Sequence, residues 1–127
     1  MSKITKKILI VDDEEDLCYF LKKNIETLGD YEVKTINDPR KGLSEARSYQ
    51  PHLILLDILM PGVSGLELLK GLKESEKTAA IPVVMLTAKR DMETKREAAS
   101  LYDEAYLEKP VEIEVLKQKI ESVLARF

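Results

Sequence analysis

Four short apolar segments, each followed by a charged or hydroxyl-bearing residue, constrain this chain more than any other feature. The segments and the polar residues that follow them are Ile8–Val11 with Asp12 and Asp13, Leu53–Leu56 with Asp57, Val83–Leu86 with Thr87, and Tyr106–Leu107 with Lys109. Short apolar runs of this kind, set between helical patterns, are typical of buried parallel strands. The carboxyl ends of such strands share one edge of an open α/β sheet, where ligands bind. We therefore expect these polar side chains to converge in one cleft.

Helical patterns and one alternating segment separate these strands. Residues 14–28 place apolar side chains at helical spacing, with Phe20 on the predicted buried stripe, and Gly29 predicts the end of that helix. Residues 31–36 alternate in polarity, which predicts a strand at a sheet edge. Four further helices are predicted: from the Asn37-Asp38-Pro39 start to about Tyr49, from the turn at 60–65 through Leu72, over 91–101, and from Pro110 as first helical residue to Phe127.

Five strands alternating with five helices predict an α/β fold. Because crossover connections between parallel strands are nearly always right-handed, the helices should cover both faces of a doubly wound (βα)5 three-layer sandwich. The fully apolar first and third strands suit the centre of the sheet. With the second strand at an edge, the parallel five-stranded sheet agrees with the flavodoxin-like order 2-1-3-4-5. A length of 127 residues fits one domain, assigned to residues 1–127.

Composition narrows the function classes. The net charge is −3, from 23 acidic and 20 basic residues without a basic stripe, which argues against nucleic acid or a membrane surface as the main partner. Only four continuous apolar residues precede Asp12, too few for a signal-peptide core or a membrane span, so we expect a cytoplasmic protein. Cys18 has no cysteine partner for a disulfide and is expected to serve in packing.

The predicted cleft has the chemistry of a phosphoryl site. Asp12, Asp13 and Asp57 would repel one another in a half-buried cleft, and an oxygen-rich site of this kind suits Mg²⁺. Lys109 would then be the counter-charge for an anion and Thr87 a neutral donor to it, and the anion we expect is phosphoryl. Asp57 is the best candidate nucleophile, because it stands alone at its strand end, whereas the adjacent Asp12 and Asp13 are better placed to hold the metal. An ionised carboxylate attacks phosphorus without needing a base.

Over nearly its whole length the chain resembles the receiver domains of two-component response regulators, particularly the single-domain chemotaxis type. The motifs that carry the resemblance, in order, are Val11-Asp12-Asp13-Glu14, Asp57 with Met60-Pro61-Gly62, Leu86-Thr87-Ala88, and Tyr106-Leu107-Glu108-Lys109-Pro110. Each motif alone is weak, and the ordered set is highly specific.

The resemblance implies a role for each matching residue. Asp57 would accept the phosphoryl group, Asp13, Asp57 and the carbonyl of Leu59 would bind Mg²⁺ with help from Asp12, and Thr87 and Lys109 would bind the phosphoryl group. Tyr106 would be the switch aromatic, turning inward when the Thr87 hydroxyl moves to the phosphate and so remodelling the surface of the fourth helix, fifth strand and fifth helix. The peptide bond between Lys109 and Pro110 would be cis.

The resemblance also implies partners. A sensor histidine kinase or a histidine phosphotransfer protein would supply the phosphoryl group, and the switched surface would control a downstream protein target. Direct nucleic-acid binding by this domain is not expected, and phosphorylation-dependent homodimerisation stays open. The protein would be a switch that catalyses only its own phosphorylation and dephosphorylation, and not an enzyme with a separate substrate.

The sequence departs from the family pattern at three places. Tyr102 stands in a segment where the family usually has glycine, Val111 stands where phenylalanine often follows Lys-Pro, and His52 replaces a frequent aspartate. A tyrosine in place of glycine is costly wherever the backbone needs a positive φ.

Other interpretations of the same residues lead to different functions. Taken alone, the acidic cluster could cap the first helix, and Tyr106 could be an ordinary packed strand aromatic. A Mg²⁺-dependent phosphohydrolase would also use an aspartyl nucleophile, but it would place an Asp-x-Asp motif after the first strand. A flavin or nucleotide carrier would need a glycine-rich first turn. A phosphorylation-independent binding domain would not need all five site residues.

By the family resemblance, Leu59 and Lys89 would flank the phosphoryl group and tune how fast it is hydrolysed. An apolar side chain offers nothing to orient an attacking water, whereas an amide does. We therefore expect Leu59→Asn to raise the dephosphorylation rate, measured as loss of the phosphorylated mass with time. An unchanged rate would count against this role.

Overall fold

The computed structural model of the protein describes residues 4–58, 60, 64–87 and 105–126. These residues form one sheet of five parallel strands, in the order β2-β1-β3-β4-β5. The strands are β1 (Lys6–Val11), β2 (Tyr31–Ile36), β3 (Leu53–Asp57), β4 (Val83–Thr87) and β5 (Ala105–Glu108). The predicted strand order is therefore confirmed, with β2 at one edge and β1 and β3 inside.

Side chains of the central strands alternate between two buried layers. In β1, Ile8 and Ile10 belong to one apolar cluster, while Leu9 and Val11 belong to the other. Strands β3 and β4 alternate in the same way, and all their residues are buried. Because successive side chains of a strand point to opposite faces, burial of every position requires helices on both sides of the sheet.

The four described helices supply these two layers. They are α1 (Glu15–Leu28), α2 (Gly42–Tyr49), α3 (Gly65–Glu74) and α4 (Ile113–Leu124), and a 3-10 turn at Pro39–Lys41 precedes α2. The apolar side chains of α1 and α4 join the cluster that contains Ile8, and those of α2 and α3 join the cluster that contains Leu9. The predicted helix at 91–101 lies outside the described residues. None of the helices in the described part of the chain has the length and apolar content needed to cross a membrane.

Two predictions about the helices are wrong. Pro110 is not the first helical residue, because the N-cap residue is Glu112, with an extended backbone (φ −89°, ψ 135°), and α4 begins at Ile113. Phe20, expected on the buried stripe of α1, is 43% exposed, and Cys18 is buried instead. The small thiol fits against the end of β1, where its sulfur lies 3.4 Å from the carbonyl oxygen of Asp12. The expected packing role of Cys18 is confirmed.

Gly65 closes the connection between β3 and α3. Its amide donates to the carbonyl oxygen of Ile58 at 2.8 Å. A Cβ atom at this position would lie 2.2 Å from the carbonyl oxygen of Asp57 and 2.6 Å from the Cα of Ile58, both backbone atoms. Only glycine allows α3 to begin this close to the strand end that carries Asp57.

We expect Gly65→Ala to lower the free energy of unfolding by about 1–3 kcal/mol, because the added methyl overlaps backbone that cannot move freely. Gly71→Ala, in the same helix, is the matched control. Its Cβ would meet only the Leu43 side chain at 3.6 Å, an ordinary contact, and replacing a mid-helix glycine should stabilise the protein by about 0.5–1 kcal/mol. Urea unfolding of both variants measures the difference. Equal effects of the two substitutions would contradict the close approach at Gly65.

Candidate functional site

Sheet register brings the predicted site residues to one edge. Val11 pairs with Leu56, Asp57 with Leu86, and Thr87 with Glu108. The residues that follow or end these four neighbouring strands therefore lie side by side, as the sequence predicts. Strand β1 lies between β2 and β3, so the chain reverses its winding direction here. A cleft at such a reversal is where doubly wound sheets bind ligands.

Lys109 is held in this cleft by its own backbone. Its amide donates to the carbonyl oxygen of Thr87 at 2.7 Å, which continues the pairing between β4 and β5 beyond Glu108. The peptide bond from Lys109 to Pro110 is cis, as the resemblance implies. The Lys109 Nζ then lies 2.8 Å from Glu14 Oε1, 3.1 Å from Asp12 Oδ2 and 3.5 Å from Asp57 Oδ2. One ammonium group thus contacts carboxylates from two strand ends and one helix start.

Hydrogen bonds hold two of the three oxygen atoms of Asp12. Its Oδ1 accepts the Glu14 amide at 2.9 Å, and its carbonyl oxygen accepts the Asn37 side-chain amide at 2.9 Å. Its Oδ2 is buried and makes no hydrogen bond of good geometry within the described part of the chain, although the Lys109 ammonium lies 3.1 Å away. We take this contact as a charge interaction that leaves the coordinating capacity of Oδ2 open. A buried oxygen of this kind is suited to a cation.

Asp12, Asp13 and Asp57 form an acidic cluster. One carboxylate oxygen from each lies within 4.8 Å of the others. Asp12 is fully buried and Asp57 is 5% exposed, so water screens their repulsion poorly. Lys109 supplies a single positive charge against three carboxylates. The oxygen-only donor set and the remaining negative charge match what Mg²⁺ binds in proteins, and the two buried aspartates with Asp13 are the residues that would hold it.

Charges and burial shift two titrations in the cleft. Burial raises the pKa of Asp12, against the opposing effects of the Glu14 amide and Lys109. Burial alone would lower the pKa of Lys109, but the hydrogen bond to Glu14 and the charges of Asp12 and Asp57 outweigh it and raise that pKa. Lys109 is therefore a fixed positive charge at neutral pH, while the site disfavours ionised Asp12 as long as only Lys109 balances it.

Thr87 and Tyr106 lie on the same face of the sheet. Tyr106 pairs with Met85, and Thr87 lies two residues further along β4, so the side chains of all three project to one side. Thr87 is buried, whereas Tyr106 is 40% exposed. Leu59, the remaining predicted site residue, lies outside the described residues.

Two contacts at the site were not predicted from the sequence. From the sequence, Glu14 was identified only as part of a motif and as a possible helix cap, yet its side chain makes the shortest contact to Lys109. Asn37 was predicted only as part of a helix start, yet its amide holds the backbone of Asp12. No local pattern could have revealed either contact, since Glu14 and Lys109 are 95 positions apart.

Comparison with known proteins agrees with this geometry. The chain belongs to the response regulator receiver domain family, whose model matches residues 8–121. It is therefore a receiver domain of two-component signal transduction, a family of phosphorylation-controlled switches that accept a phosphoryl group. Receiver domains bind Mg²⁺ in an acidic pocket, and this chain has an acidic cluster of Asp12, Asp13 and Asp57.

Individual relatives extend the comparison. The chain is 34% identical over 123 residues to the alkaline phosphatase synthesis transcriptional regulatory protein PhoP of Bacillus subtilis, covering 97% of this chain and 50% of PhoP. It is 35% identical over 120 residues to the response regulator ArlR of Staphylococcus aureus, covering 94% and 53%. The chain thus spans about half the length of these curated relatives.

Solved structures confirm the fold class. The chemotaxis protein CheY4 of Vibrio cholerae superposes with a TM-score of 0.85 at 27% identity, covering 94% of this chain and 99% of CheY4. A putative response regulator from Chloroflexus aurantiacus gives a TM-score of 0.87 at 29% identity, covering 96% and 99%.

If the acidic cluster takes up Mg²⁺, the ion should stabilise the folded protein. At a concentration of about 100 times its dissociation constant, a ligand that binds only the native state contributes about 2.7 kcal/mol. We expect Mg²⁺ to raise the melting temperature of the wild type and of Glu15→Gln, which removes an exposed charge next to the cluster. Asp13→Asn should lose the effect. An equal rise in Asp13→Asn, measured by thermal unfolding with and without EDTA, would contradict binding at the cluster.

Proposed function

We propose that this protein is a response regulator that accepts a phosphoryl group on Asp57 in a Mg²⁺-dependent reaction. The observation that carries the proposal is the surroundings of Asp57. Its buried carboxylate lies within 4.8 Å of two other acidic groups and 3.5 Å from the Lys109 ammonium. A carboxylate placed between a cation site and a fixed ammonium is suited to receive a group that brings its own negative charge.

The transfer requires no proton donor on the protein. An Oδ atom of ionised Asp57 attacks phosphorus, and a new O–P bond forms as the bond from phosphorus to the imidazole nitrogen of a phosphohistidine breaks. That nitrogen keeps the bonding electron pair and takes a proton from solvent. Lys109 pairs with a phosphoryl oxygen, and the Thr87 hydroxyl donates to another. Because Lys109 already carries its charge, it stabilises the transferring group without a proton-transfer step.

The cation site consists of Asp12, Asp13 and Asp57, with the carbonyl oxygen of Leu59 as the further ligand that the family pattern implies. When bound, Mg²⁺ would neutralise the carboxylates and shield the charge of the phosphoryl oxygens. Asp12 contributes the buried Oδ2 described above, and Asp13 contributes from the more exposed side of the cluster.

The output of the switch would pass through Thr87 and Tyr106. When the Thr87 hydroxyl turns towards the phosphoryl group, it makes room on the face of the sheet that it shares with Tyr106. The half-exposed ring of Tyr106 would then move inward and change the surface of β5 and α4. The helix predicted at 91–101, which the family pattern adds to this surface, lies outside the described residues. A downstream protein that prefers the changed surface would bind the phosphorylated state more tightly.

The wider setting follows from the family. A sensor histidine kinase or a histidine phosphotransfer protein would donate the phosphoryl group, and the domain would occupy residues 1–127 in the cytoplasm. It would catalyse only its own phosphorylation and dephosphorylation. Nucleic acid would not be bound by this domain directly. The rival phosphohydrolase is disfavoured, because the site residues follow the receiver pattern and the family model covers residues 8–121.

Intact-mass spectrometry tests the central step. After incubation with Mg²⁺ and acetyl phosphate, we expect one added phosphoryl group on the wild type. We expect none on Asp57→Asn and none with EDTA, because the nucleophile or the cation is then missing. Asp38→Asn, which removes an acidic group outside the cleft, should be labelled like the wild type. Labelling of Asp57→Asn, or no labelling of the wild type, would overturn the assignment.

A further inference from the structure

The shortest contact of the Lys109 ammonium is made to a residue without a role in the proposed transfer. Glu14 Oε1 lies 2.8 Å from Nζ, closer than the oxygens of Asp12 and Asp57. Charge-assisted hydrogen bonds of this length are among the stronger ones that side chains form. Glu14 therefore occupies one of the three N–H donors that Lys109 would offer to a phosphoryl group.

The Glu14 carboxylate takes no part in capping α1. Glu14 is the N-cap residue of α1 and has an extended backbone, but its side chain makes no capping hydrogen bond. The backbone is held instead by the hydrogen bond that the Glu14 amide donates to Asp12 Oδ1 at 2.9 Å. The side chain is 58% exposed, whereas that of Lys109 is 18% exposed. A carboxylate thus reaches from the rim of the cleft to its ammonium.

We propose that Glu14 is a positioning residue that competes with the phosphoryl group for Lys109 and so limits how readily the site accepts that group. The inference rests on the proposed phosphorylation of Asp57. Lys109 must release or share Glu14 before it pairs with an incoming phosphoryl oxygen. The negative charge of Glu14 at the rim also opposes the approach of an anionic donor.

Exposure sets the size of the effect. An exposed ion pair contributes at most about 1 kcal/mol, which corresponds to about a fivefold change in a rate or an equilibrium constant. The contribution should shrink as salt screens the charges. The competition is therefore a modest, salt-sensitive restraint on the site.

The test compares two single-charge changes at neighbouring positions. Glu14→Gln keeps the size of the side chain and removes its charge. Glu15→Gln makes the same charge change in the first turn of α1, on a side chain that makes no contact with Lys109. With acetyl phosphate at low salt, we expect Glu14→Gln to be phosphorylated about threefold to fivefold faster than the wild type, with a smaller gain at high salt. Glu15→Gln should behave like the wild type.

Two further measurements separate competition from a structural effect. Adding Glu14→Gln to Lys109→Met should give no gain over Lys109→Met alone, because no ammonium is then left for the loss of the Glu14 charge to release. Beryllofluoride, a phosphoryl mimic that bonds to carboxylates, gives a readout without turnover. In fluorine NMR with Mg²⁺ present, Glu14→Gln should bind it about threefold to fivefold more tightly than the wild type.

The outcomes distinguish this inference from the proposed function. If the wild type takes up no phosphoryl group, the proposed function fails and the inference with it. If the wild type is labelled but Glu14→Gln is no faster, or is slower, the competition is overturned. An equal gain in Glu15→Gln, or a gain that persists with Lys109→Met, would also overturn it. If thermal unfolding shows that Glu14→Gln is misfolded, Glu14→Ala, which removes the same charge, takes its place in these measurements.

Discussion

The Lys109 ammonium, surrounded by carboxylates from several strand ends, is the interaction on which the rest of the site depends. Its backbone is tied to β4 by a 2.7 Å hydrogen bond to Thr87, and its side chain contacts Asp12, Glu14 and Asp57. Three acidic groups within 4.8 Å of one another would repel strongly in a buried cleft without it. The ammonium balances part of that charge, and the remaining negative charge is what suits the cleft to a cation.

Exposure changes steadily from the floor of the cleft to its rim. The side chains of Asp12 and Asp57 are 0% and 7% exposed, that of Lys109 is 18% exposed, and that of Glu14 is 58% exposed. Charges at the floor interact strongly because water screens them poorly, whereas the charge of Glu14, which contacts Lys109 directly, is exposed to solvent and screened by it. The buried groups are therefore suited to the proposed phosphoryl transfer, and Glu14 at the rim is suited to adjusting the rate of that transfer. The buried groups lie at strand ends, which apolar clusters on both faces of the sheet hold in place.

Much of this arrangement is predictable from sequence because it follows from local patterns. Apolar runs that end in Asp12, Asp57 and Thr87 identify the strands and their shared edge, and the alternating β2 identifies the edge of the sheet. The start of α4 and the exposure of Phe20 were predicted wrongly. A proline marks where a helix can begin without requiring it, and helical spacing does not tell which apolar residue the neighbouring elements cover. The pairing of Glu14 with Lys109 could not be predicted, because the fold alone brings together residues 95 positions apart.

A crystal structure of the protein with Mg²⁺ and beryllofluoride tests the convergence of these residues on one phosphoryl site most directly. The predicted result is a beryllofluoride group bonded to an Oδ atom of Asp57, with a Mg²⁺ ion against Asp12 and Asp13. The Lys109 Nζ and the Thr87 hydroxyl should each lie within hydrogen-bond distance of a fluorine. Beryllofluoride bound elsewhere, or bound to Asp57 with Lys109 turned away from it, would contradict the assignment of this cleft.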